Sequence, residues 1–287
     1  MDITAREQLA AACRVPDDWT VWCFSDAHGM SEAFEAVLLA AGLLDSSRHW
    51  CGGAGIALVG VGDYLDRGPD SLGLVRRLEA LRLEMAAAGS GLWLARGNHE
   101  QMVLEAGADR AESAMIWLEA GGQPLLAQIA PGNSGSYWPS AARALREAGW
   151  PLDFAENTLP YVVWRDVLFI HAGPIPMARL EDHIELQEGL WDGGFLLLSG
   201  LGHPVFRYLL GAGIVRVVVG HEPGDGVRRL HRGTVLMIDA DAPGIRRYDE
   251  PAATYALALV KVPPTGDLGL GQVIIAPTDL GDWWQEA

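Results

Sequence analysis

The sequence predicts an α/β fold, and three observations carry that expectation. A strand, a polar turn and a helix follow one another three times in the first hundred residues. The half after residue 160 is rich in short β-branched runs. At 287 residues and 49% hydrophobic content, the chain has length and apolar mass for a large packed core.

The first strand is expected over Trp19–Phe24 and ends at Ser25-Asp26-Ala27-His28-Gly29; a helix from Ser31 to Ala41, with Ser31 as its N-cap, follows. The second, Ile56–Val61, runs into Gly62-Asp63 and then a mixed-charge helix from about Asp70 to Ala88. The third, Leu92–Ala95, runs into Arg96-Gly97-Asn98-His99-Glu100. That order is the order of a mainly parallel sheet, and each polar turn falls at the carboxyl end of its strand, where such sheets place their sites.

The stretch from Gln101 to Pro160 reads differently. Helices are expected near Glu112–Glu119 and Ser140–Glu147, with a Gly/Pro/Ser-rich loop over Pro131–Pro139 between them. It is read as a helical insert or cap at about 101–160 on a single domain of residues 1–287, shaping access or simply packing. Strands are then expected at Tyr161–Trp164, Val167–Ile170, Ile214–Val219, Thr234–Ile238, Thr254–Val260 and Val273–Ala276. Two of these lead into histidines, His171 and His221.

Charge and cysteine usage narrow the function. A net charge of −16 argues against binding a nucleic acid backbone or an anionic membrane by bulk charge. No apolar run is long enough for a membrane span, and the first residues lack the pattern of a secretory signal. Cys13, Cys23 and Cys51 fit neither a zinc site nor a disulfide framework, and free thiols point to the cytoplasm.

The strand ends carry side chains of one chemical kind. Asp26, His28, Asp63, Asn98, His171 and His221 are all oxygen or imidazole donors, a set suited to Mn, Fe, Zn, Ni or Co. On an extended segment, Asp26 and His28 would project to the same side. A lone Asp-x-His occurs by chance; its recurrence beside glycines after successive apolar strands does not.

The blocks SDAHG, GDYLDRG, RGNHE, HAG and GHE occur in that order, and they resemble the motifs of the calcineurin-like metallophosphoesterases. RGNHE with DRG is most similar to the phosphoprotein phosphatase branch and its bacterial members, as are WLEAGGQPLL and HAGPIP. The blocks span Asp26 to His221, about two-thirds of the chain. The resemblance implies a two-sheet β-sandwich flanked by helices, in four layers. It implies two divalent metal ions, one on Asp26, His28 and Asp63, the second on Asp63, Asn98, His171 and His221. A hydroxide between them attacks the phosphate, His99 protonates the leaving oxygen with Asp66 raising its pKa, and Arg67, Arg96 and Asn98 hold the phosphate. Manganese is the expected metal.

Three departures bear on this expectation. Ser25 stands where the family has glycine, and Pro223 where some phosphodiesterase branches have a further histidine. Gly193 and Gly194 follow Leu190-Trp191-Asp192, where bacterial relatives carry a second phosphate-clamping arginine, so Arg179 or Arg207 is a candidate replacement. Three functions are compatible with the sequence: a phosphatase acting on phosphoserine, phosphothreonine or phosphotyrosine in proteins; a dinucleoside tetraphosphatase or other small-metabolite phosphoesterase; and a weakly active module that binds a phosphorylated partner. The oligomeric state is not legible.

Overall fold

A computed structural model describes residues 3–108, 110–132, 138–174, 190–191, 209–242 and 256–277. Two five-stranded mixed sheets lie face to face. The first has strand order β10-β9-β1-β2-β3, built from β1 (Thr20–Phe24), β2 (Ile56–Gly60), β3 (Gly91–Leu94), β9 (Ala256–Val262) and β10 (Gln272–Pro277). The second has order β4-β5-β6-β8-β7, from β4 (Val162–Trp164), β5 (Val167–Phe169), β6 (Arg216–Val219), β7 (Arg228–Leu230) and β8 (Val235–Met237).

The parallel order expected from the first hundred residues holds for β1, β2 and β3, with Thr20 opposite Ile56 and Ala57 opposite Gly91. It does not extend further: β9 runs antiparallel to β1, and β10 antiparallel to β9. In the second sheet, β5, β6 and β8 are parallel while β4 and β7 are antiparallel edges.

Side-chain alternation assigns the layers. Val21, Cys23, Ala57 and Val59 point from the first sheet toward Val162, Trp164, Phe169, Val218 and Leu236 of the second, forming one core between the sheets. Trp22, Phe24 and Leu58 point the other way, into a core shared with the helices. Leu168, Val217 and Val219 meet Leu9 and Cys13 on the far side of the second sheet, where α1 (Ile3–Ala12) lies. The outcome is four layers: helices, sheet, sheet, and α1.

The helical layer begins with α2 (Ser31–Ala40) and α3 (Ser71–Ala87). In α3, Leu74, Val75, Leu78, Leu81 and Met85 recur at helical spacing and are buried. Its N-cap is Asp70, which accepts the Gly73 N–H at 2.8 Å. Ser31 is not the cap of α2; it is the first helical residue, and its hydroxyl donates to Asp70 at 2.8 Å.

The stretch after Gly97 holds more helices than the two its periodicity indicates. It holds α4 (Asn98–Gly107), α5 (Ala111–Trp117), a π-helical turn (Leu118–Gly122), α6 (Gln123–Ile129), α7 (Trp138–Ala148) and α8 (Trp150–Glu156). Strand β7 was not among the expected strands; its Arg229 is ion-paired with Asp267. No described helix is long and apolar enough to cross a membrane.

Candidate metal centre

The polar turns after β1, β2 and β3 and the turns after β5 and β6 all arrive at one rim of the two sheets. The turns are laced to each other by backbone bonds: Asp26 N–H donates to Gly62 O at 3.0 Å, His28 N–H to Asp63 O at 3.0 Å, and Gly29 N–H to Tyr64 O at 2.8 Å. Asp26 and His28 are not on an extended segment. Both are left-handed, with φ of 52° and 40°, and so are Asp63, Asp66, Arg67 and His221. Such conformations cost a non-glycine residue of order 1–3 kcal/mol and persist where surroundings over-determine them. Here the strain turns each donor inward off the end of its strand.

Glu100 is the side chain that holds this loop geometry, and the sequence reading missed it. Its carboxylate is fully buried and accepts four backbone N–H groups: Tyr64 and Leu65 on Oε1 at 2.9 and 3.1 Å, Asp63 and Gly97 on Oε2, both at 2.9 Å. Burial, then the charge of Asp63, pushes its pKa up to about 7. Gly97, the N-cap of α4, is where Asp63 approaches; a Cβ there would stand 2.1 Å from Asp63 Oδ1. The signal was the glutamate closing RGNHE three residues after an N-cap, the spacing of a capping box.

Asp63 is central. Its carboxylate belongs to two donor groups, one with His28 and His99, the other with His171 and His221; in each, the candidate ligand atoms lie within 4.8 Å of one another. Asp63 Oδ2 is 3.5 Å from His28 Nε2, and Oδ1 is 3.3 Å from His171 Nε2. His171 Nε2 in turn lies 2.9 Å from Asn98 Oδ1, and His221 Nδ1 lies 3.3 Å from both. Buried charge sets the titration. Burial opposes a charged His171, but Asp63 and then Asp26 lift its pKa to about 10; burial likewise opposes a charged Asp63, but the charge of His171 and then of His99 holds it well below the usual carboxylate range. Burial, then neighbouring positive charge, pushes His28 down to about 3 and His221 down to about 4.

This arrangement fits metal ions. With His171 neutral, its Nε2, Asn98 Oδ1 and His221 Nδ1 would be lone-pair atoms converging on one another, which a cation reconciles. With the amide of Asn98 turned over, its nitrogen would instead donate to Asp63 at 3.1 Å and to His171 at 2.9 Å, a metal-free solution for the same atoms. The ring nitrogens facing away are engaged as metal-ligating histidines require: His28 Nδ1 is 2.8 Å from Leu65 O, and His171 Nδ1 is 2.8 Å from Val61 O. Buried carboxylates also crowd the rim. Burial, then Asp239, raises the pKa of Asp26 well above its usual range. Asp239, just beyond β8, is another residue the sequence reading missed.

Asp26 is buried beside this cluster but belongs to neither three-donor group. Both its oxygens accept the His221 N–H at 3.1 Å, and the Ser25 hydroxyl donates to it. His99, expected to stand off the metals, does fall within the first group. Its Nε2 is buried without a hydrogen-bond partner, while Nδ1 is 2.8 Å from Asp66 Oδ2. The expected rise in its pKa is not what the surroundings give. Burial, then the Arg67 charge, holds His99 well below the ordinary histidine range, and burial lifts Asp66 well above that of a carboxylate.

Arg67 lies at the cluster, with Nη1 2.7 Å from His28 Nε2. Its Nε donates to Ala120 O at 3.2 Å and its backbone N–H to Gly121 O at 2.9 Å. Gly121, at φ 110°, gives the side chain room: a Cβ there would be 2.7 Å from Arg67 Cγ. Arg96 is placed otherwise. Its guanidinium donates to Thr158 Oγ1 at 3.0 Å and Gln101 Oε1 at 3.2 Å, tying the end of β3 to the segment after α8. The phosphate role expected of Arg96 is therefore not supported by where its donors point. Gly193, Gly194, Arg179 and Arg207 lie outside the described residues.

Two sheets presenting carboxylate, imidazole and amide donors at a common rim define a metallohydrolase-type centre. Residues 20–247 match the calcineurin-like phosphoesterase family model, and the chain belongs to that family. Over 80 residues it is 42% identical to Shewanella-like protein phosphatase 2 of Arabidopsis thaliana, covering 28% of this chain and 20% of that one. Over 65 residues it is 45% identical to serine/threonine-protein phosphatase 1 of Salmonella typhimurium, covering 23% of this chain and 25% of that one. The matched stretches thus span a quarter or less of these relatives' length. Among solved structures, the fold is similar to a cold-active protein-tyrosine phosphatase of a psychrophilic Shewanella, with TM-score 0.58, 19% identity, and 90% and 82% of the two chains covered. It is equally similar to a proposed diadenosine tetraphosphatase, with TM-score 0.58, 19% identity, and 93% and 98% covered.

Proposed function

We propose that the protein hydrolyses phosphate monoesters, most readily phosphoserine, phosphothreonine or phosphotyrosine in proteins, with two divalent cations held about Asp63. The observation that carries this reading is that Asp63 is shared by two donor groups, as a bridging carboxylate must be. His28 and Asp63, with Asp26 turning toward them, would hold one ion; Asp63, Asn98, His171 and His221 the other. Manganese suits this oxygen and imidazole set. Two such ions would supply a water acidified toward neutral pH and positive charge for the phosphate oxygens.

The chain's own residues do the rest. Arg67, pinned at Nε by Ala120, has Nη1 at the cluster and grips two phosphate oxygens, releasing His28 as it does so. His99 presents an unpartnered Nε2 beside Asp63, aimed at the leaving oxygen. A phosphate dianion arriving there adds negative charge and raises the ring's proton affinity, so that Nε2 takes up a proton from solvent, which the ring then passes to the departing alkoxide. Asp63, His99 and His171 are all buried, which screens them from bulk solvent. The substrate is favoured as protein because the relatives matched over the motif blocks are named as protein phosphatases. A cytoplasmic location belongs to this reading; Cys13, Cys23 and Cys51 are all unpaired.

The test is release of phosphate from phosphopeptides and from diadenosine tetraphosphate, with Mn²⁺ and with a chelator. Mn²⁺-dependent turnover that is faster on phosphopeptides is expected. Faster cleavage of the dinucleotide would reassign the substrate, and no metal-dependent turnover of either would leave a phosphate-binding module.

A further inference from the structure

The carboxylate of Asp66 is held from two sides. On one side, Oδ2 lies 2.8 Å from His99 Nδ1. On the other, the indole N–H of Trp117 is shared between both oxygens, 3.0 Å from Oδ1 and 2.9 Å from Oδ2. Asp66, His99 and Trp117 are each 0% exposed, so no solvent competes for these bonds. Trp117 comes from the last residue of α5, in the helical stretch, 51 positions along the chain from Asp66. The helix does not swing freely against the rim: the turn that follows it holds Arg67 through Ala120 O and Gly121 O.

A donor nearly equidistant from two carboxylate oxygens fixes the plane and rotation of the group. With that rotation set, Oδ2 faces Nδ1 and selects the ring tautomer carrying its proton there. Nε2 is then left to face the cluster. An oriented carboxylate behind a histidine also stabilises the charged ring when it forms. Among the described residues, the side chains bonded to the carboxylate are those of His99 and Trp117.

We propose that Trp117 is a positioning residue: acting through Asp66, its indole N–H sets the tautomer and aim of His99, so that the helical stretch controls protonation of the leaving group. This rests on the reading of His99 as the acid, and its consequence depends on the substrate. An alkyl phosphate, such as a phosphoserine peptide, must be protonated as it leaves. A p-nitrophenyl ester leaves without that help.

The experiment compares wild-type protein, Trp117→Phe, and a benzothienylalanine at the same position, which keeps the indole outline with sulfur in place of N–H. All are loaded with Mn²⁺. For both variants kcat on the phosphoserine peptide is expected to fall about tenfold or more, the size of one lost bond to a charged group. On p-nitrophenyl phosphate it falls less than about threefold, KM stays within about twofold, and metal content is unchanged. Equal loss on both esters, or none on the peptide, would overturn the proposal. If Trp117→Phe does not fold, the benzothienyl protein decides.

A second readout is independent of turnover. Histidine ¹⁵N spectra should show His99 with its proton on Nδ1 in the wild type and a mixture of tautomers in both variants. An unchanged tautomer would refute the positioning role. A changed tautomer in a protein without activity would keep that role and refute the phosphatase reading instead.

Discussion

Replacing Glu100 with glutamine separates the contribution of one buried carboxylate from everything around it. The glutamine side chain is nearly isosteric, so packing is conserved, but one acceptor oxygen becomes an NH₂ donor. Whichever oxygen is replaced, two backbone N–H groups lose their acceptor and face a donor: either Tyr64 and Leu65, or Asp63 and Gly97. An unsatisfied buried N–H costs roughly 1–3 kcal/mol, so the pair costs roughly 2–6 kcal/mol. That is a large part of the 5–15 kcal/mol that ordinarily stabilises a domain. The assay is guanidinium denaturation of the metal-free proteins followed by tryptophan fluorescence. Glu100→Gln is expected to unfold at clearly lower denaturant, with lower Mn²⁺ affinity because the turns about Asp63 lose two of their four bonds to this side chain in either case. A midpoint indistinguishable from wild type would refute the reasoning that this carboxylate holds the rim together.

Asp63→Ala should abolish metal-dependent turnover and reduce bound Mn²⁺ measured by elemental analysis, since both donor groups lose their shared member. His99→Ala should retain metal while turnover of a phosphoserine peptide falls by about 10²–10⁴ in steady-state assays. Arg96→Ala should leave KM for phosphopeptides within about twofold, because its donors serve Thr158 and Gln101, while the denaturation midpoint drops by an amount corresponding to roughly 1–3 kcal/mol.

The strand ends were legible because they rest on short-range pattern. Apolar runs such as Ile56–Gly60, stopped by Gly62-Asp63, say where a strand ends and which donor follows it. The structure brings Asp63, His28, Asn98, His171 and His221 to one rim from those positions. The antiparallel β9 and β10 were found as strands but not as partners of β1, since nothing in a single run encodes its neighbour. Helix α4 was hidden for a different reason. Asn98 and His99 look like turn residues, and they are helical here because Glu100 caps the backbone ahead of them.

The side chains that orient the site were hardest to see. Trp117 reads as one more core aromatic at helical spacing, and its N–H partner is far away in sequence. Asp239 follows a strand as the other donors do, but no recognisable block surrounds it. The left-handed conformations of Asp26 and His28 have no local cause in residue type; they come from backbone bonds to Gly62 and Asp63 on the next turn. Arg96 shows the converse: its position beside Gly97 and Asn98 suggests the site, yet buried acceptors on Thr158 and Gln101 claim its donors.

Anomalous diffraction from crystals soaked in Mn²⁺ tests the central claim most directly. Two peaks, roughly 3.5–4 Å apart and flanking the Asp63 carboxylate, are predicted, one toward His28 and the other toward Asn98, His171 and His221. A map with no peak at Asp63, or with manganese bound only elsewhere on the acidic surface, would contradict it.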